Sequence, residues 1–212
     1  MTSLVLASAS PARLATLRSA GIEPRVIVSG VDESQVTEAD PARLAMRLAE
    51  LKADAVAATL PAEESADTFV LGCDSVLELD GQIHGKPADP AEARARWQAM
   101  RSRSGVLHTG HCLRELASGR RLVRPADTVV HFADLTDDEV DAYVATGEPL
   151  HVAGAFTLDG LGGPFVRGIE GDPHNVVGVS LPLLRLMFAE LGVPWHRLWH
   201  SAQQEGRSIS GS

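Results

Sequence analysis

Long apolar runs, paired cysteines and basic stretches are all missing from this 212-residue chain, and each absence narrows what it can be. No segment approaches the roughly 18 consecutive apolar residues that a membrane-spanning helix needs, so no membrane partner is expected. The opening Met1-Thr2-Ser3-Leu4-Val5-Leu6-Ala7 has no basic region and too short an apolar run for a secretory leader, which points to a cytoplasmic protein. Two cysteines, Cys73 and Cys112, stand in no C-x-x-C pair; they exclude a disulfide framework and a zinc knuckle, and read as buried free thiols. With 19 Lys and Arg against 28 Asp and Glu, a formal net charge of -9 opposes binding to a nucleic acid polymer, which depends on neutralising many phosphates. A small anionic substrate stays open if cations gather locally or a metal ion screens its charge. The three Trp are too scattered to form a stacking platform for bases, and there is no G-x-S-x-G elbow, internal repeat or low-complexity linker.

What is present, 44% apolar and 22% charged residues, suits a chain that buries one core or two closely fused lobes. Leu4-Val5-Leu6-Ala7 reads as a short buried strand, followed by helical spacing from Pro11 to Ala20 that Gly21 closes. Val26-Ile27-Val28 suggests a second strand. Asp40-Pro41 supplies an N-cap and first-turn proline for a helix to about Thr59, and Pro61 to Asp67 reads as a surface loop. Thr68 to Cys73 has the near-continuous apolar character of a strand covered on both faces. A separate strand, Val76 to Leu79, then alternates and meets the Asp80-Gly81 hairpin turn. Asp89-Pro90-Ala91-Glu92 predicts a capping box and a helix to about Met100. Strands at Gly105 to Leu116 and Arg121 to Phe132 flank Ser118-Gly119. Thr136 to Glu139 caps a further helix ended by Gly147. A Gly-rich segment runs from Gly154 to Gly178, and Ser180 to Leu191 is helical up to Gly192. Strands and helices interleave, so the expected fold class is α/β with one mixed, twisted sheet and flanking helices, a single domain over residues 1–200. Residues 201–212 carry no apolar pattern and read as a tail.

Four places put polar groups where the fold alone does not ask for them. Ser8-Ala9-Ser10-Pro11-Ala12-Arg13 lies between a strand and a helix start, where hydroxyls and free backbone N–H groups can hold phosphate oxygens; ordinary N-capping by Ser10 is the other reading. Lys52 interrupts the apolar helix face formed by Leu44, Ala45, Leu48, Ala49, Leu51, Ala55 and Val56, a costly place for an ammonium unless it reaches water or an anion. Asp74-Ser75 follows directly on the most hydrophobic strand. Ligands bind at the carboxyl ends of strands in open sheets, and an Asp there can hold Mg²⁺ or take a proton from water; a turn-forming Asp is the alternative. Gly85-Lys86-Pro87 is a small lysine-bearing loop and not a P-loop, because Asp80 occupies the place of the first glycine. His196 and His200 have a helical metal-pair spacing but no third ligand nearby, so no zinc site is expected.

Taken in order, these segments resemble the Maf family, the septum-formation-inhibitor-like proteins. The resemblance spans nearly the whole chain: Leu6 to Arg13, Val31-Asp32-Glu33, Leu48-Ala49 to Lys52-Ala53, Gly72 to Val76, Gly85-Lys86-Pro87, His108-Thr109-Gly110, Tyr143 to Pro149, Ala153 to Phe156, and Ile169 to Asp172 with Asn175 to Gly178. It implies two lobes around a deep cleft and a house-cleaning or regulatory pyrophosphatase, often dimeric. Such an enzyme cleaves a nucleoside triphosphate to the monophosphate and pyrophosphate with Mg²⁺, Mn²⁺ or a similar ion. By the resemblance Ser8, Ser10 and Arg13 bind phosphate, Glu33 and Asp74 hold metal, Asp74 is the general base, and Ser75 and the paired lysines Lys52 and Lys86 bind substrate. A nucleotide-sensing regulator of division without turnover is the alternative, in which Asp74 is dispensable. Three departures bear on the substrate. Ala12 replaces a second arginine, Ser75 a threonine, and Asp159 a glutamine typical of members that favour thymidine and uridine triphosphates. An acid at 159 could accept hydrogen bonds from base N–H groups or meet a cationic methylated guanine.

Overall fold

The computed structural model describes residues 2–61, 63 and 66–199; the expected tail, and His200 of the histidine pair, lie outside the described residues. The elements run β1 (Ser3–Leu6), α1 (Pro11–Ser19), β2 (Arg25–Val26), α2 (Pro41–Ala57), β3 (Thr68–Leu79), β4 (Gln82–His84), α3 (Pro90–Met100), β5 (Ser104–Glu115), β6 (Arg121–Phe132), α4 (Asp137–Ala145), β7 (Val166–Glu170), α5 (Pro173–Val177) and α6 (Leu181–Glu190). Helix starts follow the chemistry of their caps. The side chains of Ser10, Asp40 and Asp89 accept the N–H three residues on, with proline in the first turn, and Thr136 with Glu139 forms a complete capping box. At α3 the box is displaced: Glu92 reaches past the cap to the backbone N–H of Ala88, 2.8 Å away. The Asp80-Gly81 turn places both residues at positive φ, 53° and 75°, which matches the twist of the hairpin it closes.

One mixed sheet results, ordered β2-β1-β3-β5-β6-β7, with β4 paired to β3 off that path. β1 runs parallel to β2 and β3, and the other pairings are antiparallel. The expected second strand shrinks to Arg25–Val26. The two strands expected around Asp74-Ser75 are a single twelve-residue strand, β3, so Asp74 lies in mid-strand and not at a carboxyl end. The placement works because the partners on one edge of β3 stop short. β1 pairs residues 68–71, β4 pairs residues 77–79, and among the described residues no strand covers residues 72–76 on that side. The carboxyl end that opens the sheet here belongs to β1, and its next residues are the Ser8 segment.

Period-two alternation sorts β3 and β5 onto two faces. On one face, Phe69, Leu71, Cys73 and Leu113 join Leu17, Leu184, Met187 and Phe188 in a core under α1 and α6. Farther along the same strands, Leu77, Leu79 and Leu107 pack with Trp97, Phe132, Val140 and Tyr143 under α3 and α4. The two apolar clusters are separated by a polar belt, since Ser75 pairs with Thr109 and Cys73 with His111. The opposite face carries α2, packed through Ala49, Ala53 and Val56 on Val5, Val70 and Cys112. Cys73 and Cys112 thus belong to opposite faces, both buried and free. Burial pushes their thiols up to about 11 and about 12, which keeps them protonated and inert.

Glycine decides how close α2 comes. A Cβ on Gly72 would stand 2.1 Å from the Ala49 carbonyl, and one on Gly110 would stand 2.2 Å from that of Ala45. Arg114 and Arg121 hold the helix from the sheet side through Asp54.

Candidate active site

The uncovered stretch of β3 collects side chains from three directions. From α2, Lys52, a residue only 8% exposed, places its Nζ 2.5 Å from Asp74 Oδ1 and 2.7 Å from Glu33 Oε1. Lys52 interrupts the apolar face of α2 because that helix lies against the strand bearing Asp74, so its partner is an ion pair and not bulk water. Glu33 opens a short 3₁₀ turn, Glu33–Gln35, that the Asp32 side chain caps. From α1, the Arg13 guanidinium donates from Nε to the Gly178 carbonyl at 2.8 Å, from Nη1 to Ser8 Oγ at 3.2 Å and from Nη2 to Ser75 Oγ at 3.1 Å. Ser8 Oγ also accepts the Ser10 N–H at 3.1 Å, while Ser10 Oγ caps α1 through the Arg13 N–H at 3.3 Å. Capping is therefore the observed work of Ser10, and Ser8 is a rest for Arg13.

Electrostatics concentrate on Asp74. Burial raises its carboxyl above the usual carboxylate range; Lys52 and Arg13 oppose that rise, and Glu33 adds to it. A buried carboxylate whose proton affinity is raised, held beside cations, has the character of a general base.

Lys86 stands on the loop that leaves β4. Because Leu77 pairs with His84, the chain beyond His84 returns along the edge of β3 toward Ser75. The Gly85 carbonyl is held there by the N–H of Gly154 at 3.0 Å and by Arg96, and Lys86 itself is exposed, with no hydrogen bond or ion pair among the described residues. Asp159 is not brought into this cluster by any contact. It is exposed on a loop organised by Glu148, whose carboxylate accepts from Tyr143 Oη, Thr157 Oγ1 and the N–H groups of Leu161 and Gly162. A surface cavity of about 470 Å³ between α3 and α4, lined by Pro90, Arg94, Val144 and Leu150 among others, holds none of these groups.

The family model for Maf-like proteins matches residues 3–191. This chain belongs to the Maf family. Among similar proteins, one from Salinispora tropica is 63% identical over 196 residues, covering 92% of this chain and 87% of that protein. One from Streptomyces coelicolor is 60% identical, covering 94% and 96%. Another, from Rhodococcus erythropolis, is 51% identical, covering 95% and 98%. All three carry the name nucleoside triphosphate pyrophosphatase. A solved HAM1 protein from Coxiella burnetii aligns with a TM-score of 0.39 at 21% identity over 64% of this chain and 75% of that one, a likeness too distant to bear on function.

Of the residues that the sequence singles out, Ser8, Arg13, Glu33, Lys52, Asp74 and Ser75 come together in the fold, and the sequence is silent on what lies beneath them. Thr109 is fully buried and hydrogen-bonded to Ser75, and Gly178 supplies the carbonyl that seats Arg13. Both stand inside motifs that carry the resemblance, so the signal was there without a role attached. No helix among the described residues is long and apolar enough to cross a membrane.

Proposed function

We propose that the chain is a nucleoside triphosphate pyrophosphatase, hydrolysing the α–β phosphoanhydride to a nucleoside monophosphate and pyrophosphate. The observation that carries this reading is Asp74, a buried carboxylate held beside Lys52 and near Arg13 where the edge of β3 has no partner strand among the described residues. The shared name of the close relatives supports it. Asp74 accepts the proton of the water that attacks the α-phosphorus. Lys52, Lys86 and the N–H groups of Arg13 not yet spent offset the charge of the phosphates, and no side chain need act as a nucleophile.

The carboxylates of Glu33 and Asp74 fit a hard divalent ion such as Mg²⁺ or Mn²⁺. Each uses one oxygen on Lys52, and the other makes no hydrogen bond among the described residues. Glu33 and Asp74 are two carboxylates, and no group of three or more metal-binding side chains occurs among the described residues, so a Mg²⁺ held here would draw its remaining ligands from phosphate and water oxygens. A bound ion would screen the phosphates and make a water easier to ionise. A homodimer in the cytoplasm is the accompanying expectation, checked by sedimentation of the purified chain.

Release of pyrophosphate from pyrimidine, purine and 7-methylguanosine triphosphates, with Mg²⁺ or Mn²⁺ present, is the direct assay. Asp74→Asn is expected to lower turnover by about 10²- to 10⁴-fold, the usual contribution of a positioned base. Undiminished release by that variant would overturn the base assignment. A nucleotide that binds but is not turned over by the wild type would favour a sensing regulator, and orthophosphate as sole product would mean a different hydrolase. A clear preference for thymidine or uridine triphosphate would remove the reason for a special part for Asp159.

A further inference from the structure

Hydrogen-bond valence fixes the direction of a buried hydroxyl chain beneath Arg13. Thr109, with no exposed surface, has one hydroxyl proton, and its Oγ1 lies 3.2 Å from the Asn175 backbone carbonyl. A carbonyl only accepts, so Thr109 donates there. Ser75 Oγ is 2.9 Å from Thr109 Oγ1; with the threonine proton committed, the serine proton points to Thr109. Arg13 Nη2, 3.1 Å from Ser75 Oγ, can only donate. The chain therefore runs one way, from Arg13 through Ser75 and Thr109 to the Asn175 carbonyl.

Its far end is anchored by hydrogen bonds. The Asn175 side-chain amide, fully buried, donates to the Ala126 carbonyl at 3.0 Å and lies within reach of the Leu107 carbonyl at 3.3 Å and Thr128 Oγ1 at 3.1 Å, which ties α5 to β5 and β6. The same short helix ends at Gly178, whose carbonyl takes Arg13 Nε. Ser8, Ser75 and Gly178 each hold a different nitrogen of the guanidinium, which leaves one N–H on each terminal nitrogen, a fork suited to phosphate oxygens.

We propose that Thr109 is a positioning residue: it commits the Ser75 hydroxyl to act as an acceptor, and through it aims the Arg13 guanidinium at a phosphate group. Ser75 is then part of the arginine's seat and not itself a donor to substrate. This rests on the pyrophosphatase reading for its phosphate ligand, but the test reads binding without turnover, so the two can fail separately.

Binding of inorganic tripolyphosphate in the presence of Mg²⁺, measured by calorimetry, is compared for the wild type, Thr109→Val, Thr109→Ser, Ser75→Ala and the Thr109→Val/Ser75→Ala double variant, with melting temperatures alongside. Thr109→Val keeps the shape and removes the hydroxyl; it is expected to weaken binding about tenfold, the scale of one hydrogen bond to a charged group. Thr109→Ser should restore binding to within about twofold, and the double variant should bind no worse than Ser75→Ala alone, because both substitutions break one chain. Unchanged affinity in a folded Thr109→Val protein would overturn the proposal, as would effects of the two substitutions that multiply. If Thr109→Val does not fold, Ser75→Ala decides: affinity equal to wild type would overturn the proposal, and about tenfold weakening alongside a Thr109→Ser protein that binds normally would sustain it. Wild type that binds tripolyphosphate yet releases no pyrophosphate from any nucleotide would sink the activity and leave the hydroxyl chain to be judged on binding alone.

Discussion

Lys52 is expensive in isolation and necessary in context. Its ammonium is shared between Asp74 and Glu33, so Lys52→Met would leave Asp74 as a buried carboxylate without its nearest cation. Breaking such a pair typically costs about 3–5 kcal/mol. Protonation of Asp74 relieves that penalty, so the loss of stability measured by urea melts should be largest at alkaline pH and shrink as pH falls. The position was legible in the sequence because one lysine among alanines and leucines breaks a helical face; its partner was not, because helical projection says nothing about which strand lies beneath. His111 is the contrary case, a residue with no legible role. It is fully buried, its Nε2 accepts the Ser180 N–H at 2.8 Å, and burial, reinforced by Arg13, depresses its pKa to about 4. A base depressed from 6.5 stabilises the fold fully above about pH 6.5 and loses that contribution as pH falls toward 4. The shift corresponds to about 3 kcal/mol. His111→Gln, which keeps an acceptor but does not titrate, should flatten the dependence of unfolding free energy on pH between about 4 and 6.5. A variant as acid-sensitive as the wild type would contradict this.

The element that carries Lys52 is set by what the sheet omits. At Gly72 and Gly110 a methyl group would collide with the α2 backbone, so Gly72→Ala or Gly110→Ala must lift or tilt the helix. Overpacking at this contact is expected to cost about 1–3 kcal/mol and, by separating Lys52 from Asp74, to reduce pyrophosphate release more than the stability loss alone would. Residual activity at a temperature where the variants stay folded checks it. Elements with strong local chemistry were read well: α2, α3 and α4 start at their caps, and the Asp80-Gly81 hairpin closes as expected. The sequence pattern divides β3 in two because Asp74 and Ser75 interrupt its apolar run; the neighbours' early endings and the Lys52 ammonium explain why a charged residue is tolerated in mid-strand. β7 and α5 were lost inside the Gly-rich segment, where short elements held by tertiary contacts leave no periodic pattern.

For the whole molecule, two apolar clusters on one sheet face suggest separate lobes, yet β3 and β5 run unbroken through both. Strands shared in this way couple the clusters, and unfolding should be a single transition. Trp97 reports on one cluster and Trp195 packs against the other, so urea curves from two proteins with Trp199 replaced, one keeping Trp97 alone and one keeping Trp195 alone, should coincide. Separated midpoints would show that the halves unfold independently. The gap along β3 also bears on solubility. Bare strand edges invite foreign peptides to add themselves and seed aggregates. Residues 72–76 span about 17 Å, and strand pairing on this edge stops at both ends of that window, with β1 at Leu71 and with β4 at Leu77. A peptide would find too little length to zip along, whereas a solute the size of a nucleotide needs no more, so a gap wide enough for the proposed substrate still resists self-association through that edge.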